Sequence, residues 1–464
     1  MRLAALAALL LLGACTLKGG TAAPGGLRAG EPGAETLKVQ REPPEIEDLK
    51  LIPQQLGPLA AAAGSRFSLD QGCRERLLAE FTSRYYAPWD NSKFDAREAR
   101  DFIRQQGSAT WYGVNKRVVP RELLEEIVAN CALESFPSRN QAALAVAPAH
   151  LRGLPTNLPF YQSADDFPFD MLSYPQVKLN EPLRVLHASR DGVWLFVETA
   201  YSAGWIEKGQ VAQVTAQQAR SWQQAPKLVV VRDYAPVPDG RGVAVHQAKV
   251  GTLLPLLRLD SGGWQVQVAS AGEGGRAEMH QVTLPSGYAA PFPLSFDAVG
   301  IALVGDQFLG DAYGWGEVYD LRDCSALLRD FFLPFGIWLP RTSADQVASV
   351  PGARDLHALD PGQKLMALTQ DGVPFLTLLY KPGHIMLYVG QDSVGRPLVL
   401  HDAWSIRLRA QRATHETAGR AAATRIIGLT AITTLEPGKE LGLEPGSSLL
   451  ERLSELAVIK NRCP

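Results

Sequence analysis

The chain has 464 residues, 46% of them hydrophobic and 20% charged, with a formal charge of -2 and acidic and basic residues interspersed. That length suits a mosaic of domains, and that charge pattern gives no footprint for a polyanion, so nucleic acid is excluded as an expected partner. The first residues, "MRLAALAALLLLGACTLKGG", put one basic residue before a short apolar run from Leu3 to Leu12, then Gly13, Ala14 and Cys15. The run is too short to span a bilayer, and it has the form of an export signal.

With Leu12 three residues before Cys15, this start resembles a bacterial lipoprotein signal. The resemblance implies that Cys15 is lipidated and anchors the protein to a membrane. Thr16 rather than aspartate after it resembles the pattern that sorts to the periplasmic face of the outer membrane. Four further cysteines, Cys73, Cys131, Cys324 and Cys463, then lie in a compartment that permits disulfides. Three complete pairings stay open; Cys73 and Cys131 share the helical N-terminal region and are one candidate pair.

We divide the chain into a signal and lipidation site (1–20), a Gly/Pro-rich flexible tether (21–56), a helical clip (57–154), two small β-barrels (155–225 and 226–298) and a C-terminal catalytic domain (299–464). The clip carries helical periodicity in "CRERLLAEFTSRYYAPW", "DAREARDFIRQQ" and "PRELLEEIVANCAL". The barrels are read from short strands between turns, such as "LRVLHAS", "VWLFVETA" and "GWQVQVAS". They resemble bacterial SH3 domains, the first more closely than the second. One amphipathic helix after Cys324, followed by the strand signals "VPFLTLLY", "HIMLYVG", "PLVLH" and "TRIIGLTAIT", predicts an α+β layer for the last domain. The fold expected is therefore multidomain: a mainly helical N-terminal domain, two SH3-like barrels and an α+β catalytic domain.

Cys324, Leu327, Leu328 and Phe331 recur at helical spacing, which puts the cysteine in the first turn, facing inward. The helix N-terminus there favours a thiolate. His384 opens an apolar strand after a Pro-Gly turn and His401 lies on the next strand, the residue types needed for a base and for the group that orients it. "HDAW" and "RATHE" also offer His401, Asp402, His415 and Glu416, but in no usual zinc spacing, so neither a metal nor another cofactor is expected.

The blocks "GDAYGWGEVYDLRDCSALL", "PGHIMLYVG" and "LHDAW" resemble, in order, the NlpC-type family of papain-like cell-wall cysteine peptidases. The resemblance implies a papain-like domain with Cys324 as nucleophile, His384 as general base and acid, His401 as orienting group and Tyr313 beside the nucleophile. The Cys324 backbone N–H would hold the oxyanion. Members with this domain order imply a γ-D-glutamyl-L-diamino acid endopeptidase acting on peptidoglycan stem peptides with a free N-terminal L-alanine. Their first SH3 domain walls the cleft. Asp323, assisted by Ser325, would read the substrate ammonium, with Glu181 and Tyr201 on the SH3 side. Ala326 and Glu317 replace glycines common in the family, and Glu317 would add negative charge at the mouth. Oligomeric state has no signature in these patterns.

Overall fold

A computed structural model describes residues 46–463, apart from 93 and 410–423. Cys15, His415 and Glu416 lie outside the described residues. Among them no helix is long and apolar enough to cross a membrane. The stretch read as tether is structured at its end: Ile46, Ile52 and Leu56 are buried around the helices Glu47–Leu51 and Leu56–Ala63. Hydrophobic side chains outweigh the Gly/Pro signal here, because each finds a core to enter.

The three periodic segments form the helices Gln71–Tyr85, Ala96–Ser108 and Arg121–Asn130. Asp70 and Asp95 cap the first two, accepting backbone N–H groups at their first turns. The first barrel begins earlier than 155. Strands Gln141–Ala145 and Ala149–Arg152 join its seven-stranded sheet, in which Gln141–Ala145 pairs antiparallel with Pro182–Ala188. Small apolar "QAALAVA" reads weakly as strand, and the pairing is settled by distant partners. The second barrel has a five-stranded sheet and a two-stranded ribbon. Asn180 ties the barrels together: its Nδ2 donates to the carbonyls of Ala145 (2.9 Å) and Ala269 (3.1 Å) and its Oδ1 accepts from the Ala269 N–H.

In the last domain a six-stranded antiparallel sheet runs in the order Arg354–Asp355, Glu455–Val458, Thr377–Lys381, His384–Gln391, Pro397–Arg407, Thr424–Thr434. The helix Cys324–Phe332 packs against it through one core that also takes Leu56, Phe67 and Leu77 from the N-terminal helices. The helical clip and the catalytic domain therefore share a hydrophobic interior. A disulfide joins Cys73 to Cys463, with Cα atoms 5.2 Å apart. Cys131, the alternative partner for Cys73, is instead a free thiol buried beneath the first barrel.

Candidate functional site

Asp323 is the N-cap of the Cys324–Phe332 helix, its Oδ1 accepting from the N–H groups of Ser325 (3.1 Å) and Ala326 (2.9 Å). All nine helical residues are buried, so Cys324 enters the core with Leu327, Leu328 and Phe331 and meets Ile385 and Leu387 of the neighbouring strand. Ala326 is fully buried. The backbone N–H of Ile385, the residue after His384, is directed at the Cys324 sulfur. The thiol differs from the expectation. Burial, with the Asp323 charge beside it, pushes it up to about 12, more than the Ile385 N–H offsets. In the resting protein Cys324 is held as a thiol.

His384 Nε2 and His401 Nδ1 lie 2.9 Å apart, and His401 Nε2 is 2.9 Å from the Thr433 hydroxyl. Thr433 in turn donates to the Thr434 carbonyl at 2.7 Å, so its oxygen accepts from His401. This assigns every proton along the line. His401 carries Nε2–H, its Nδ1 accepts from His384 Nε2–H, and the lone pair of His384 remains on Nδ1. Burial holds both rings neutral: His384 falls well below the usual imidazole value and His401 to about 3, with the Lys381 ammonium pushing both the same way. A neutral thiol, a neutral base with its free lone pair fixed, and an orienting ring are the parts of an acyl-transfer site.

Tyr313 lies within the same charge field: burial first, then Cys324 and Asp323, raise its phenol. Its ring meets Trp404 with centroids 5.6 Å apart. The barrel wall enters at this point through Phe169, edge-on to Trp315 at 5.3 Å and to Trp404 at 5.5 Å, while Trp315 Nε1 donates to the Asp170 carbonyl. Glu181 and Tyr201 lie elsewhere on the interface. Glu181 is 2% exposed, accepts from the Lys178 N–H at 3.0 Å, and is pushed up to about 7 by burial. Tyr201 stacks on Trp338 at 4.4 Å with the Arg329 guanidinium over its ring.

Charges beneath the site are paired. Glu317 is not at the mouth; it is 1% exposed and holds Arg329 through two bonds of 2.9 and 2.7 Å and Arg341 at 2.8 Å. Asp330 takes Lys178 of the first barrel, Arg322 and Arg329; Asp233 of the second barrel takes Lys249 and Arg322. Asp323 differs most from its expected role. Arg341 reaches both of its oxygens (3.1 and 2.6 Å) and also the Ser325 hydroxyl at 2.8 Å. With the helix cap on Oδ1 and the Gly316 N–H 3.3 Å from Oδ2, each Asp323 oxygen already takes at least two donors.

Four segments match models of known domains: residues 4–136 the "NLPC_P60 stabilising domain, N term", 159–207 an SH3 domain of SH3b1 type, 216–261 one of SH3b2 type, and 310–415 the NlpC/P60 family. No curated protein matches. Among solved structures, the chain is similar to a novel NlpC/P60 endopeptidase from Photobacterium damselae subsp. piscicida, at 20% identity and TM-score 0.74, over 84% of this chain and 93% of that one. A NlpC/P60 family protein from Bacillus cereus matches at 16% identity and TM-score 0.44, over 68% of this chain and 98% of that one. Residues 310–415 are thus a domain of the NlpC/P60 family of cell-wall cysteine peptidases, and that family's stabilising domain and two SH3 domains precede it in the chain.

Proposed function

We propose that this protein hydrolyses peptidoglycan stem peptides at the bond between γ-D-glutamate and an L-diamino acid, through a thioester on Cys324. The observation that carries the reading is the line from His384 to His401 to Thr433, which leaves a lone pair on His384 Nδ1 at the strand end that meets the Cys324 sulfur. His384 takes the thiol proton as the sulfur attacks the carbonyl carbon. The Cys324 backbone N–H, at the unpaired start of its helix, serves the oxyanion. The imidazolium then protonates the departing amine, and water, deprotonated by the same ring, releases the acyl group.

The free-amine requirement that the family resemblance implies is not part of the proposal, because Arg341 already holds Asp323 and Ser325. Phe169, rather than Glu181 or Tyr201, is our choice for the wall contributed by the first barrel. Export as a lipoprotein anchored through Cys15, facing the periplasm from the outer membrane, accords with the Cys73–Cys463 disulfide, a bond of oxidising compartments. The test uses protein lacking residues 1–20 and its Cys324→Ala counterpart, given L-Ala-γ-D-Glu-diaminopimelate with the amine free or acylated. Mass spectrometry should find both peptides cut by the first protein and neither by the second. Cleavage by Cys324→Ala, or no cleavage of either peptide, would sink the proposal; cleavage of the free peptide alone would restore the amine reader.

A further inference from the structure

The ionisable groups that act on Cys324 include Asp323, Asp402, Arg341 and Lys381. Asp323 and Arg341 neutralise each other. Asp402 is fully buried with no hydrogen bond to either carboxyl oxygen; Thr430, opposite it in the strand register, relieves it only in part. Burial and the Asp323 charge push it up to about 8, so it is mostly protonated, and uncharged, at pH 7. Lys381 is different. Among the described residues its ammonium has no ion pair and no hydrogen bond.

Its position is set by a tight hairpin. Lys381 ends the strand Thr377–Lys381 and pairs directly with His384 across the Pro382-Gly383 turn, where Gly383 takes φ +79°. Residues directly opposite in an antiparallel pair present their side chains on one face, so Lys381 stands beside the base. The side chain is half-buried, and burial together with repulsion from Arg452 and Arg407 works against its charge, pushing it down to about 8. Neither arginine has a carboxylate partner among the described residues. Arg407 and Arg452 are exposed and solvated, but Lys381 is half-buried, and a neutral side chain would pack there at less cost. An anion that arrives with the substrate relieves the repulsion.

We propose that Lys381 is a substrate-binding residue that takes a carboxylate flanking the scissile amide. The inference deepens the proposed function and rests on it. A γ-linked glutamyl residue keeps its α-carboxylate free on the acyl side, and a terminal diaminopimelate keeps one free on the leaving side, on the carbon that bears the scissile nitrogen. Both are the same chemistry to an ammonium; the geometry of the site offers a charge-assisted hydrogen bond to either.

Binding separates this idea from the chemistry. Affinities would be measured by calorimetry on the otherwise complete Cys324→Ala protein and on Cys324→Ala/Lys381→Met, with four forms of L-Ala-γ-D-Glu-diaminopimelate: unmodified, amidated at the glutamyl α-carboxylate, amidated at the diaminopimelate carboxylate on the carbon that bears the scissile nitrogen, and amidated at both. The Cys324→Ala protein should prefer one acid over its amide by about tenfold or more, the worth of one charge-assisted contact. Lys381→Met should erase that preference while affinity for the amide stays within about twofold, and Lys381→Arg should retain it. The position at which the preference vanishes names the carboxylate. No acid preference in the parent, or an equal loss across all four peptides in Lys381→Met with the fold intact by circular dichroism, overturns the proposal. Acid-dependent binding without turnover by the active protein would leave Lys381 in place and refute the endopeptidase; turnover without acid dependence would do the reverse.

Discussion

Replacing Thr433 by valine tests the proton assignment in the histidine line, because valine keeps the shape and strand preference of threonine and removes only the hydroxyl. His401 is 0% exposed, so its Nε2–H, now 2.9 Å from the Thr433 oxygen, would lose its acceptor with no water to replace it. A buried donor left unpaired costs about 1–3 kcal/mol. The ring can escape by moving its proton to Nδ1, but then it cannot accept from His384 Nε2–H. His384 must in turn carry its proton on Nδ1, the position from which it accepts the thiol proton. Either way the productive arrangement is disfavoured by the same amount, roughly 5- to 150-fold in rate. The loss should fall on kcat with KM unchanged, since Thr433 touches no substrate. Thr433→Ser should recover most of it. Stem-peptide hydrolysis followed by liquid chromatography, with urea unfolding to establish that both variants fold, provides the measurement. Valine and wild type turning over equally, or serine failing as badly as valine, would refute the assignment.

Glu317→Gln should destabilise the protein by about 3–5 kcal/mol, because it leaves Arg329 and Arg341 buried without their shared carboxylate; a loss below about 1 kcal/mol in urea unfolding would contradict this. Asp402, pushed up to about 8 when folded, ionises near ~3.9 in the unfolded chain. The folded state thus keeps a proton that the unfolded state releases, so this stabilisation is complete below the unfolded value and fades as pH rises toward 8. Asp402→Asn should flatten that decline, and parallel pH profiles for variant and wild type from pH ~5 to ~8.5 would count against it. Phe169→Ala removes two edge-on aromatic contacts from the wall, each worth about 0.5–1.5 kcal/mol. We expect a several-fold rise in KM, and an unchanged KM would remove Phe169 from the cleft.

The parts of the site that follow from local pattern were legible in the sequence. The Asp-Cys-Ser start of a periodic helix and the two histidines on successive strands are local signals, and each stands on the element it was read on. What could not be read depends on distance. Arg341 meets Asp323 across 18 residues of chain and Phe169 meets Trp404 across domains, and no period links such pairs. Thr433 lies inside a run correctly taken as a strand, where a β-branched residue needs no further explanation. Lys381 looks like any strand-end charge until the described residues show no counter-ion beside it. The thiol was misjudged because a helix N-terminus is visible in sequence and the depth of burial is not. Asp48 marks the same limit: within a segment read as tether, its carboxylate accepts from the Thr434 N–H and hydroxyl, one residue beyond the end of the histidine line.

The Cys73–Cys463 bond has a topological effect, because it joins positions separated by 390 residues and so encloses both barrels, Cys324, His384 and His401 in one covalent ring. A protease that cuts a single exposed turn, such as the one around Arg241 and Gly242 in the second barrel, opens the ring but releases nothing. The nicked molecule should migrate as one species without reductant and as two with it. Dividing the nicked chain into separate pieces then takes a second cut within the ring or a reducing agent, so damage to one loop leaves a single covalent molecule.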